Sequence, residues 1–204
     1  ASSNTAIGAY ALASNQTGVH NTALGYQAMY ANTGNYNSGI GYLALRNNTS
    51  GSENHASGRL ALYANTTGGY NTAVGGAALE SNTTASYNTA VGNEAGTSIS
   101  TGDSNVMVGY QAGTSVNTGV NTVAIGYQAG DAIVGGNNNV AIGKNSLGAE
   151  VSGSLSVAIG SNALAVQNTG ADAYNIAIGH SAGVSVTSGI RNTLIGGLAG
   201  DALN

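Results

Sequence analysis

Hydrophobic and polar residues alternate along this chain in one short pattern that returns from end to end. Its core reads Asn, branched residue, small residue, branched residue, Gly, as in Asn71-Thr72-Ala73-Val74-Gly75 and Asn139-Val140-Ala141-Ile142-Gly143. The closing glycine falls at Gly8, Gly25, Gly41, Gly58, Gly75, Gly92, Gly109, Gly126, Gly143, Gly160, Gly179 and Gly196, twelve times, at intervals of 17 residues apart from one of 16 and one of 19. Branched residues at alternate positions suit a strand, whose side chains point to opposite faces with a period of two. Asn is poor inside a strand and good at a turn, so each core predicts a turn followed by a very short strand.

Beyond the glycine a second pattern fills the rest of the coil. Ala stands three residues after it in eleven coils and Ser146 in the other. The next residue divides the coils into two kinds. Leu or Met occupies it in coils one to five, nine and ten; Gly96, Gly113, Gly130, Gly183 and Gly200 occupy it elsewhere. In the Gly kind an aliphatic residue follows a little later (Ile99, Val116, Ile133, Val184), which reads as a second way of filling the same volume. A second turn, commonly Asn-Thr-Gly or Thr-Thr-Gly, closes the coil with a glycine such as Gly18, Gly51, Gly102 or Gly119, expected to supply backbone angles that other residues avoid. Seventeen residues are too few for a strand and a proper helix, and Asn, Thr and Gly disfavour helix throughout.

The predicted fold class is therefore all-β, a parallel β-roll or β-solenoid of about twelve 17-residue coils, forming one repeat domain over residues 1–204. At the parallel-strand spacing of about 4.8 Å the rod would be on the order of 55 Å long. The sequence suggests that the branched pair points inward and the Ala between them outward. An outward row of Ala would let another backbone approach closely, which predicts three copies packed about a common axis.

Composition narrows the function. Only 6% of residues are charged, the formal net charge is −4, and Arg46, Arg59, Lys144 and Arg191 are scattered, so duplex nucleic acid is not an expected partner. No apolar run approaches the roughly 18 residues of a spanning helix, and membrane insertion is not expected. Cys is absent, which removes disulfides and thiolate metal sites, and no cofactor is expected.

The cores at 71–75 and 88–92, and Val-Ala-Ile-Gly at 123–126, 140–143 and 157–160, resemble the head repeats of trimeric autotransporter adhesins of the YadA-like kind. The longer unit, seen in Tyr70-Asn71-Thr72-Ala73-Val74-Gly75 and Gly109-Tyr110-Gln111-Ala112, is more similar to repeats of bacteriophage tail fibres. The resemblance implies a left-handed, homotrimeric rod, an excerpt of a longer extracellular fibre of a virion or a bacterial surface, structural in role and engaged in host attachment. The 17-residue period, longer than that of adhesin heads, favours the phage fibre. An ice-binding solenoid is the alternative suggested by low charge and rows of Thr, although the Thr row turns to Val after Thr89.

No catalytic constellation is expected. His20, His55 and His180 occupy three different coils, and a metal centre needs several convergent ligands. The carboxylates are isolated, with no pair spaced for glycoside hydrolysis. Tyr26, Tyr42, Tyr110 and Tyr127 directly follow the core glycine, while Tyr36, Tyr70, Tyr87 and Tyr174 precede the core Asn. Both sets fall at turns, and the first set is the candidate for contact with a cell-surface glycan. Coil four departs furthest from the repeat, with His55 in place of Thr and Ser57 in place of the aliphatic residue.

Overall fold

The computed structural model describes residues 2–202. Twelve strands of three residues form a single parallel sheet in chain order: β1 (Thr5–Ile7), β2 (Thr22–Leu24), β3 (Ser38–Ile40), β4 (His55–Ser57), β5 (Thr72–Val74), β6 (Thr89–Val91), β7 (Val106–Val108), β8 (Val123–Ile125), β9 (Val140–Ile142), β10 (Val157–Ile159), β11 (Ile176–Ile178) and β12 (Thr193–Ile195). Equivalent residues sit in register, as Thr72 against Thr89 and Val74 against Val91. The chain is thus a β-solenoid with one strand per coil and no helix among the described residues.

Pairing between coils is not limited to the strands. Leu62 N–H donates to Ala78 C=O at 3.0 Å and Leu79 N–H to Ala95 C=O at 3.1 Å, on the wall of the coil beyond the core glycine. Thr66 N–H donates to Thr83 C=O at 2.8 Å near the second turn. Backbone groups that the short strands leave over are therefore satisfied coil to coil, as buried backbone must be. The coil itself is tied across its width by Asn. Asn71 Nδ2 donates to Ala85 C=O at 2.8 Å, and its Oδ1 accepts from Asn88 N–H of the next coil at 2.9 Å. Equivalent Asn residues thus form a ladder that runs chiefly from side chain to backbone, with direct amide contacts from Asn71 Nδ2 to Asn54 Oδ1 and from Asn192 Nδ2 to Asn175 Oδ1, both at 3.1 Å.

The facing of the strand is the reverse of the sequence expectation. Ala23, Ala56, Ala73, Ala90, Ala124, Ala141, Ala158 and Ala177 are fully buried, and the branched residues on either side of them lie on the outer face. The physical reason is the thinness of the coil. The middle strand position stands directly against the Leu or Met of the opposite wall: a Cβ on Gly39 would lie 2.6 Å from Met29 Cγ. Nothing larger than Ala fits while a Leu or Met projects from across the coil. The core is accordingly a row of Ala packed on Met29, Leu45, Leu62, Leu79, Leu147 and Leu164.

The two kinds of coil follow from the same interior. Met29, Leu45, Leu62, Leu79, Leu147 and Leu164 all have positive φ, between 49° and 53°, a region a β-branched side chain can hardly enter. Where Gly96, Gly113, Gly130 or Gly183 takes this place, the apolar mass comes from Ile99, Val116, Ile133 or Val186, three residues later. A Cβ on Gly96 would lie 3.0 Å from Ile99 Cδ1, so the isoleucine occupies the vacated space. In coil eleven the filler is Val186, fully buried, and not Val184, which is half exposed.

The second-turn glycines also differ from expectation. Gly119 does not have positive φ; it is needed because a Cβ there would lie 2.7 Å from Gly136 C=O of the next coil. Close stacking, and not an unusual angle, selects glycine at that turn. Deviations in coil length fall at this turn as well. In the 16-residue coil Asn32 reaches Gly34 across two residues, where Asn48 reaches Gly51 across three.

Candidate functional site

With the interior filled, the distinctive surface is the outer face of the sheet. Four columns of side chains run along it. A leading column precedes each core Asn; the first and third strand residues form two central columns; a trailing column follows each core glycine.

The leading column is built on strained backbone. Ser3, His20, Tyr36, Glu53, Tyr70, Tyr87, Ser104, Asn121, Asn138, Leu155, Tyr174 and Arg191 all have φ between 52° and 63°. No β-branched residue occurs there, consistent with the cost of that region. His20 stacks on Tyr36 with ring centroids 5.0 Å apart, and Tyr70 stacks on Tyr87 at 5.1 Å. Between these pairs stands Glu53. Its carboxylate raises the phenol of Tyr70 above the ordinary tyrosine value, first through the adjacent negative charge and then through a hydrogen bond. Beside Glu53 a shallow notch of about 500 Å³ opens, lined by Tyr36, Ser38, Glu53, Asn54 and His55.

The central columns change character along the rod. In coils one to six the first strand residue is Thr5, Thr22, Ser38, His55, Thr72 or Thr89. In coils seven to eleven both central positions are aliphatic: Val106 and Val108, Val123 and Ile125, Val140 and Ile142, Val157 and Ile159, Ile176 and Ile178. None of these ten is buried. Single exposed aliphatic residues are ordinary, but an unbroken row of neighbours is not.

The trailing column carries the tyrosines singled out for glycan contact. Tyr26, Tyr42, Tyr110 and Tyr127 are all exposed, between 43% and 52%. The structure brings them together as two separate stacks, Tyr26 on Tyr42 with centroids 5.6 Å apart and Tyr110 on Tyr127 at 5.3 Å. Arg59, Gly76 and Asn93 lie between the stacks, and Lys144 continues the second, its ammonium 5.9 Å from the Tyr127 ring.

Coil four crosses this face as a polar row of Glu53, His55, Ser57 and Arg59, all four in outward columns. Its inward positions keep the repeat, with Asn54, Ala56, Ala61, Leu62 and Asn65 buried. The irregularity read from the sequence is thus confined to the surface. His55 and Ser57 stand out in the sequence but the row does not, because Glu53 and Arg59 become part of it only once four columns share one face.

The remaining titratable groups do not converge. No group of three His, Cys, Asp or Glu able to hold a metal ion occurs among the described residues. Glu150 is buried inside the rod, where its carboxylate accepts from Gly153 N–H at 2.6 Å, Gln167 Nε2 at 3.0 Å and Thr169 N–H at 3.1 Å. It extends the polar column formed in other coils by Asn48 and Asn65 and serves the interior. Asp131 is partly buried, and loss of water raises its carboxyl above the usual range, opposed by hydrogen bonds from backbone N–H groups. No helix of the described residues is long and apolar enough to cross a membrane.

No protein-family profile, curated protein or solved structure matches this chain.

Proposed function

We propose that the chain is a structural segment of an extracellular fibre, assembled from three parallel copies and contributing mechanical reach and host attachment, of the bacteriophage tail-fibre type. The observation that carries this reading is the outward aliphatic face of coils seven to eleven, half-buried from Val106 to Ile159 and exposed at Ile176 and Ile178, on a rod whose interior is already full. From the first strand column to the trailing column the whole outer face of twelve coils is about 13 Å wide and about 53 Å long, about 700 Å², of which coils seven to eleven are the aliphatic part. Shared between two neighbours in a trimer this gives about 350 Å² for each, below the roughly 800 Å² per partner of a standard interface, so the side chains at the margins must contribute as well. A left-handed course is part of the same resemblance. A bacterial adhesin head is the runner-up within the same mechanical class, and the sequence flanking this chain in its source genome distinguishes the two.

The direct test is sedimentation equilibrium of the wild-type chain beside Val123→Asp and Val140→Asp. The reading expects a trimer for wild type and a shift to monomer for the variants, with far-ultraviolet circular dichroism unchanged because both side chains point outward. A wild-type chain that stays monomeric at tens of micromolar would remove the assembled fibre from consideration.

A further inference from the structure

We infer that the copies pack side by side with no axial slip, the leading column of each against the trailing column of the next, and that Glu53 pairs with Arg59 of the neighbouring copy. This rests on the assembly proposed above and specifies how its surfaces meet.

Symmetry supplies the first step. When parallel rods are arranged about an axis with one face inward, the interface is heterologous: one margin of each copy meets the opposite margin of the next. Here those margins are the leading and trailing columns. A ring closes only if neighbouring copies stand at equal height, whereas any slip produces an open, helical assembly.

The chemistry of the margins fits equal height. Coil four carries Glu53 on one margin and Arg59 on the other. Six residues, three of them strand β4, put them at most about 20 Å apart on opposite margins of the face. The Arg59 guanidinium has no hydrogen bond or ion pair with any described residue. Glu53 is exposed at its own margin, in the column next to Tyr70. At equal height these opposite charges face each other once per interface.

Neighbouring coils match by size. Tyr70 lies opposite Gly76, Tyr87 opposite Asn93, Ser104 opposite Tyr110 and Asn121 opposite Tyr127, so a ring meets a smaller partner each time although it changes margin after coil six. Coils two, three and eleven place rings on both margins (His20 and Tyr26, Tyr36 and Tyr42, Tyr174 and His180), where stacking is available. In no coil do like charges face each other. Size matching alone tolerates a slip of one coil. The ion pair does not, because such a slip sets Glu53 against Tyr42 or Gly76. Coil four therefore acts as the register mark of an otherwise repetitive face, the role best attested for polar groups in apolar interfaces.

The assignment also redirects Tyr110 and Tyr127 from a glycan to the neighbouring copy. Both rings would lie against Ser104 and Asn121 of the next rod.

Two experiments test the register. Charge reversal by Glu53→Arg or Arg59→Glu alone is expected to weaken association about tenfold, and the combined exchange to restore it, measured by sedimentation at low salt. The chain has no natural Cys, so Glu53→Cys with Arg59→Cys permits linking by a short bis-maleimide. The expected product is a covalent trimer, while Glu53→Cys with Gly76→Cys, one coil out of step, yields little. An assembled wild type whose double exchange fails to recover, or whose 53–76 pair links as well as 53–59, overturns the register and leaves the assembly standing. A monomeric wild type overturns both.

Discussion

At the scale of single residues the fold depends on amides that bond at both ends. A core Asn closes its own coil through Nδ2 and receives the next coil through Oδ1, as Asn105 does with Gly119 C=O at 2.8 Å and Thr122 N–H at 2.9 Å. Asn71→Ala would leave Asn88 N–H without its partner in a dry interior, while Ala85 C=O keeps the Asn82 amide at 3.1 Å. The expected loss is roughly 1–3 kcal/mol, read by chemical denaturation. Thr122 is the converse case: its hydroxyl reaches Gly136 C=O only at 3.4 Å, where Asn139 reaches Gly153 C=O at 2.8 Å. Thr122→Asn is expected to stabilise by about 1 kcal/mol. Asp131 gives a pH-dependent prediction. Its folded-state pKa is raised, chiefly by desolvation, so its protonated form is favoured on folding. That contribution is present below the unfolded carboxyl value and lost as pH rises through the folded one. Asp131→Asn should therefore raise the melting temperature at neutral pH, and the gain should vanish in acid.

At the scale of the coil, the two kinds of unit are alternative solutions for one cavity. Leu or Met at positive φ goes with a polar residue three positions later (Asn32, Asn48, Asn65, Asn82, Glu150, Gln167); Gly goes with Ile99, Val116, Ile133 or Val186. The sequence made the alternation visible, but not its partner column. That column is polar in one kind and apolar in the other, so no single hydrophobic pattern marks it, and Val184 therefore passed for the filler of coil eleven. The junction leaves a trace. Asn48, Asn65 and Asn82 form an amide ladder, with Asn82 Nδ2 donating to Asn65 Oδ1 at 2.7 Å, and the ladder stops at Ile99, leaving Asn82 Oδ1 buried and without a partner. Gly96→Leu alone should destabilise by about 1–3 kcal/mol, because its Cβ already approaches Ile99 Cδ1 and Leu79 Cδ2 at 3.0 and 3.1 Å. Ile99→Asn alone should cost more, since it empties the space that Gly96 cannot fill. In a Met107→Ala background, which clears the middle strand position whose Cγ lies 3.4 Å from a Gly96 Cβ, the two together convert coil six to the Leu kind and place an amide where Asn82 Oδ1 needs a donor. The double variant should recover most of the combined loss, a coupling that a double-mutant cycle measures directly.

For the whole molecule, the period and the parallel stack were legible because every coil must bury the same small set of side chains against its neighbours. The facing of the sheet was not, since alternation shows that Val74 and Ala73 point oppositely without showing which side is enclosed. Bulk suggested that Val74 lies inside; only the Leu79 wall across a thin coil shows that Ala73 does. The reversal moves the proposed interface from the small residues to the aliphatic ones and makes the stack independent of its outer surface. A stack held by contacts between nearest neighbours should also tolerate removal of a whole unit. Excising Tyr110–Gly126 joins Gly109 to Tyr127, a junction identical in type to the Gly109–Tyr110 link it replaces. Strand β7 would then meet β9, setting Val106 and Val108 against Val140 and Ile142, residues of the same kind as Val123 and Ile125. The shortened chain should keep its circular dichroism spectrum and lose about 4.8 Å of rod length by small-angle scattering. Excising 110–122 instead breaks the period and places Val123 where a trailing residue belongs, and that chain should unfold. Equal stability of the two deletions would contradict a stack built on one fixed coil.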